Sequence, residues 1–199
     1  RRLHTLLLWS DERRNTFAIQ RIPANDWGME AAFEDRSNVL CLAGTSKPID
    51  LWIVGEIVRQ WWVDGEGMPA TRPAISVQPL PDSQRAFCKT FLNERCMPAN
   101  TSNVANQFGP SQVKASRWMN TRAEKDSPSK TLEFKEVYDA RTSLRDKSHL
   151  AKLNVGQLKV HDIVVLEIRL GRYAAKQEGD KTKKKGMERW QAFFDLQAV

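Results

Sequence analysis

Leu158-Lys159-Val160-His161-Asp162-Ile163-Val164-Val165-Leu166-Glu167-Ile168-Arg169-Leu170-Gly171-Arg172-Tyr173 is the stretch on which the fold of this chain turns. Successive side chains of a strand point to opposite sides. One side here carries Leu158, Val160, Asp162, Val164, Leu166, Ile168 and Leu170, apolar at every position but one. The other carries Lys159, His161, Ile163, Val165, Glu167, Arg169, Gly171 and Tyr173. Such alternation predicts a half-buried strand whose register is fixed by its oily side. A second strand of this kind is expected from Glu188 to Val199, with Trp190, Ala192, Phe194, Leu196 and Ala198 inward and Arg189, Gln191, Phe193, Asp195 and Gln197 outward. The two read as a long hairpin with residues 174–187 as its tip.

Working outward, Ile49 to Val63 alternates as well. Ile49, Leu51, Ile53, Ile57, Trp61 and Val63 form one face, and Trp52 and Trp62 lie on the other. Gly55, mid-strand, predicts a bulge or bend that curls the sheet. Leu132–Tyr138 reads as a strand with Leu132, Phe134 and Tyr138 on one face, and weaker strands are expected at Leu3–Trp9, Thr16–Ile22, Val39–Ala43 and Ala74–Gln78. A helix is expected over 83–97, started by Pro81-Asp82-Ser83 with a capping side chain and buried along Phe87, Cys88, Phe91, Leu92 and Cys96. A shorter one is expected over 143–153. Residues 98–112 read as a loop and 121–131 as a linker. The fold class expected is α+β, mainly antiparallel β, with a curled sheet closing toward a barrel and one or two helices. The chain divides into a neutral strand-rich half (1–97), a polar connector (98–131) and a basic hairpin half (132–199), and the halves are free to pack as one domain.

Of the 199 residues, 41% are hydrophobic and 28% charged, enough for a packed core. No apolar run is long enough to span a bilayer, so no membrane association is expected. Arg1-Arg2 followed by an apolar run hints at a leader, but Asp11-Glu12 interrupts it without a small-residue cleavage site. The missing initiator Met and the apolar end suit a piece of a longer protein. Cys41, Cys88 and Cys96 match no disulfide framework or zinc spacing, which suits free buried thiols in an intracellular setting, with the nucleus as one candidate location. The net charge of +7 is segregated: residues 1–113 hold 12 basic and 12 acidic side chains, whereas residues 114–199 hold 19 and 12. A local cationic surplus attracts polyanions.

The hairpin concentrates that surplus. Its tip carries Lys176, Lys181, Lys183, Lys184 and Lys185 against two acids. Its free face is expected to offer Arg169, Tyr173, Arg189, Gln191 and Phe193, Arg172 is counted with them as a contact, and Arg117 with Trp118 stands near Lys114 and Arg122. Cations beside exposed rings suit single-stranded DNA or RNA, since phosphates meet the charges and bases stack on the rings. The plainer alternative is a solvated loop beside rings that cover a second layer.

The run from Leu158 to Ile168, a hydrophobic lead, then Asp162, then alternating Val and Ile, resembles a strand of OB-fold barrels, with His161 where that family usually has Gly. The resemblance covers residues 158–199. It implies an OB-like barrel that holds single strands on its sheet face and adjacent loops, with Arg169, Tyr173, Arg189, Phe193 and the loop lysines as contacts.

A rival reading is a protein-interaction module built on a face shared by Trp52 and Trp62. Catalysis finds little support. His4, His149 and His161 are far apart, no nucleophile elbow, phosphate loop or dinucleotide fingerprint occurs, and Asp50, Glu56, Asp64 and Glu66 read as polar turn residues rather than a metal site. The chain is therefore expected to be a non-enzymatic binding protein with no cofactor or metal.

Overall fold

The computed structural model describes residues 2–30, 33–97, 112–121, 130–174 and 189–199. Helix α1 spans Arg2–Leu7 and α2 spans Asp82–Glu94. The strands are β1 Ser10–Asp11, β2 Thr16–Ala18, β3 Asn25–Trp27, β4 Leu40–Leu42, β5 Asp50–Val63, β6 Pro69–Pro79, β7 Val113–Ser116, β8 Ile163–Ala174 and β9 Trp190–Ala198.

Five of these strands close a barrel in the order β5-β6-β7-β9-β8, with β8 returning to β5. Every contact around the ring is antiparallel except β7 with β9, which is parallel. The long β5 makes closure possible, because its first half pairs with β8 and its second half with β6. Gly55 is where it serves both, opposite Val164 and Pro79. A Cβ there would stand 2.8 Å from the Gln78 carbonyl oxygen and 3.0 Å from Val77, so only glycine lets the strands approach this closely. The result is an α+β, mainly antiparallel, OB-like barrel. Its strands come from both sides of residue 114.

The barrel interior is legible row by row. Ile75, Ala115, Phe194 and Leu170 lie abreast on four strands, as do Leu51, Ile168 and Leu196 on three, and all are buried. α2 plugs one end with Cys88, Phe91, Leu92 and Cys96. Its buried Gln84 accepts a hydrogen bond from the Val54 N–H at 3.2 Å, tying the helix to β5. The segment 130–162 contributes Phe134, Val137 and Leu158 to the core and joins β9 through Tyr138 N–H to Val199 O and Val199 N–H to Glu136 O. The N-terminal strands lie outside, β2 parallel to β5 and the β3–β4 pair beside β8 through a Val39–Gly171 bridge.

Several expectations are corrected. Leu3–Trp9 begins as helix, since Leu3, Leu6 and Leu7 are spaced for one helical face. Thr16–Ile22 is a strand only to Ala18 before a 3-10 turn over Ile19–Arg21. α2 starts behind Pro81 without a side-chain cap. Residues 143–153 hold one 3-10 turn, Lys147–His149, and Leu132–Tyr138 is not a continuous strand, with a single bridge from Tyr138 to Lys152 and Leu132 exposed. The strand expected from Leu158 begins at Ile163, because Val155–Gln157 is a 3-10 turn and His161 turns the chain at φ +76°. β5 also shifts register between Ile57 and Arg59 and again between Trp61 and Val63. The first shift inserts one extra residue in β5 and inverts the alternation, so Trp61 faces outward and Trp62 packs on the core, the reverse of strict period two; at the second the surplus residues lie on β6.

Candidate nucleic-acid interface

The outer surface of β6, β7 and the second half of β5 presents a band of cations and rings. Register places Arg59, Ser76 and Lys114 abreast, and next to them Trp61, Ala74, Ser116 and Asp195. Trp61 is 42% exposed, and the Lys114 ammonium lies 5.1 Å from its ring centre. Further along, Trp118 is 62% exposed with the Arg72 guanidinium 5.1 Å from its ring centre. Arg72 is aimed by a 3.0 Å hydrogen bond from Nε to Ser116 Oγ. Arg117 donates to Gln197 Oε1 at 3.1 Å and to the Leu196 carbonyl at 3.3 Å. Behind the band, Asp195 accepts from Gln197 Nε2 at 2.7 Å. Burial pushes its carboxyl above the ordinary aspartate value, while nearby Arg117 and the Gln197 bond pull the other way.

The band has two ends. The β5–β6 turn, residues 64–68, stands at the Trp118 end. β9 starts at the other, beside the start of β7, so the connection from Ala174 to Arg189 is rooted there. Lys176, Lys181, Lys183, Lys184 and Lys185 fall in that connection and lie outside the described residues.

The hairpin face expected to carry the site is largely occupied. Arg169 donates from Nε to Asp50 Oδ1 at 2.7 Å, and this pair holds its protonated form against the cost of burial. Arg172 is clamped between the rings of Trp27 and Trp190, 4.4 and 4.6 Å from their centres, and donates to the Ser37 carbonyl at 3.1 Å. The β3–β4 pair thus covers ground the sequence left open. Phe193 is half-buried, its ring lying where a Cβ on Gly171 would stand. Tyr173 remains 43% exposed, with its hydroxyl donating to Gln191 and its ring 5.8 Å from that of Phe193. Arg189 is exposed.

Trp52 and Trp62 share no face. Trp52 lies outside the barrel, stacked under Trp9 at 4.9 Å between ring centres, and donates to Glu167 Oε2 at 3.2 Å. Trp62 stacks on buried Phe134 at 5.5 Å. Both are half-buried, so the exposed Trp52/Trp62 patch is withdrawn.

Arg117 and Trp118 do belong to the band. Arg59, Trp61, Arg72 and Lys114 join it without having been singled out. The signal that would have found Trp61 is the bulge, which leaves no mark in the residue pattern. Among the described residues, no group of three or more His, Cys, Asp or Glu is placed to hold a metal ion, and no helix is long and apolar enough to cross a membrane. No family model, curated protein or solved structure matches the chain.

Proposed function

We propose that the protein binds single-stranded DNA or RNA along the outer face of β5, β6 and β7. The carrying observation is the pairing of two exposed indoles with cations, Trp61 with Lys114 and Trp118 with Arg72, on one continuous band. Bases stack on indoles, and ammonium and guanidinium groups meet phosphates as the strand passes. The band occupies the surface that an OB-like barrel uses for oligonucleotides, between the loop after its first strand and the loop after its fourth. The lysine-rich connection follows the fourth barrel strand, and its charge supplies long-range attraction. Duplex DNA hides its bases from such rings, so a single strand is the better fit.

The test is a fluorescence-anisotropy titration of single- and double-stranded DNA and RNA against the parent and Trp118→Ala. Stacking contributes about 1–3 kcal/mol per base, so this substitution is expected to weaken single-strand binding about 5- to 150-fold. Trp118 is 62% exposed, so the variant should melt close to the parent. Equal affinity for duplex and single strand, or no loss in Trp118→Ala, would count against the reading.

A further inference from the structure

A recess lies elsewhere on the barrel, over the outer side of β8 and the first half of β5, with β9 standing between it and β7 of the band. It holds about 500 Å³, inside the range of small-molecule sites. The N-terminal stretch from Trp9 to Thr16 walls one side and residues 144–148 the other. At its base Trp52 and Glu167 stand directly opposite each other on β5 and β8. Glu167 is nearly buried, accepting from Trp52 Nε1 at Oε2 (3.2 Å) and from Lys147 Nζ at Oε1 (2.5 Å). At the rim, Arg14 is paired with Asp146 and, at 3.6 Å, with Asp11, and Arg145 is exposed.

Three features narrow the ligand. The stacked Trp9–Trp52 pair offers an aromatic surface to a planar ring. Each Glu167 oxygen keeps a second lone pair after its existing bond. The third is the rim, where Arg145 is exposed while Arg14 and Lys147 are already paired with Asp11, Asp146 and Glu167. A planar base with adjacent N–H donors and an anionic tail meets all three. Guanine alone among the common bases sets two donors, N1–H and the 2-amino group, side by side toward one carboxylate, whereas cytosine and adenine offer only their amino group. We infer that this recess binds a guanine nucleotide, with the base against the tryptophan pair, its donor edge on Glu167 and its phosphate at Arg145 on the rim. An arginine side chain shares the planar donors but brings no anion for Arg145.

This site is independent of the band, and its test uses quenching of intrinsic tryptophan fluorescence by GMP, AMP, CMP and arginine amide. GMP is expected to saturate, with AMP and CMP at least about tenfold weaker. Glu167→Gln keeps an oxygen for the Trp52 N–H but sets an amide NH2 against the base, and losing the charged acceptor should cost about tenfold or more in GMP affinity. Arg145→Glu, at an exposed position, should weaken GMP several-fold with an unchanged melting temperature, which guards against misfolding of the first variant. Trp118→Ala should leave GMP binding intact. Competition by an oligonucleotide bearing a terminal guanosine phosphate would identify a strand end as the source, and its failure to compete would identify the free nucleotide. Absence of GMP saturation, equal affinity for AMP, or preference for arginine amide would overturn the assignment.

Discussion

Asp195 shows how one residue couples the barrel wall to the proposed interface. It lies on β9 between Arg169 of β8 and Ser116 of β7, under Arg117 and Arg72. Burial raises its carboxyl above the ordinary 3.8, so folding favours the neutral acid more than the open chain does. The sign follows from linkage. The folded state is most favoured while Asp195 is protonated, and stability falls as pH climbs from about 3.8 through the raised value. Asp195→Asn removes this titration, and urea unfolding at a series of pH values should show a flatter profile over that window. Identical profiles for parent and variant would remove Asp195 from the account. His161 gives a second single-residue prediction. It sits at φ +76°, which costs a side-chain-bearing residue about 1 kcal/mol, and its 2.5 Å contact with Glu56 is between exposed groups of little net worth. His161→Gly should therefore stabilise the protein by up to about 1 kcal/mol, read as a higher urea midpoint.

Among the elements, β5 decides the architecture. It changes partners at Gly55 and changes facing at the bulge between Ile57 and Arg59. Gly55→Ala would push a methyl to 2.8 Å from the backbone oxygen of Gln78, and backbone yields less easily than a side-chain tip. A loss of about 1–3 kcal/mol is expected, measured by chemical denaturation. A neutral result would mean that the barrel can open at this seam. β5 also marks how far the sequence can be read. The alternation of Leu51, Ile53 and Ile57 predicted the inner row correctly, and so did that of Ala192, Phe194 and Leu196 on β9, because a closed barrel buries one side of each strand. Past the bulge the same rule misplaced Trp61 and Trp62, since one inserted residue inverts every later side chain. β7 was missed altogether. Its four residues, Val113–Ser116, are too short to display a period, and they form a strand only because β6 and β9 bracket them. The hairpin face was misjudged for a related reason. Nothing local to Arg172 tells that Trp27, far earlier in the chain, will lie across it.

For the molecule as a whole, the decisive property is where the positive charge sits relative to the rings. All of the net +7 belongs to residues 114–199, and four lysines crowd into 181–185, in the connection that follows the fourth barrel strand. The indoles stand on the band itself. In the proposed mode the lysine-rich connection adds charge to the band, where the indoles stand beside Arg72 and Lys114, and salt separates the connection's contribution from stacking. Each phosphate neutralised releases condensed counterions, giving single strands a slope of about −0.7 in log affinity against log salt per contact. Stacking has no such dependence. Replacing Lys181, Lys183, Lys184 and Lys185 with Ala should flatten the slope by up to about 3 and cost most affinity at low salt. Trp118→Ala should shift the whole line down in parallel, with its slope kept. Anisotropy titrations of one oligonucleotide at several salt concentrations read both effects. If the lysine variant kept the parent slope, the loop would have no part in capture, and the cations of the band, Arg59, Arg72, Lys114 and Arg117, would have to carry the electrostatics alone. If Trp118→Ala instead changed the slope, Arg72 would have lost its aim with the ring, and the indole would be acting as a support for a cation rather than as a platform for a base.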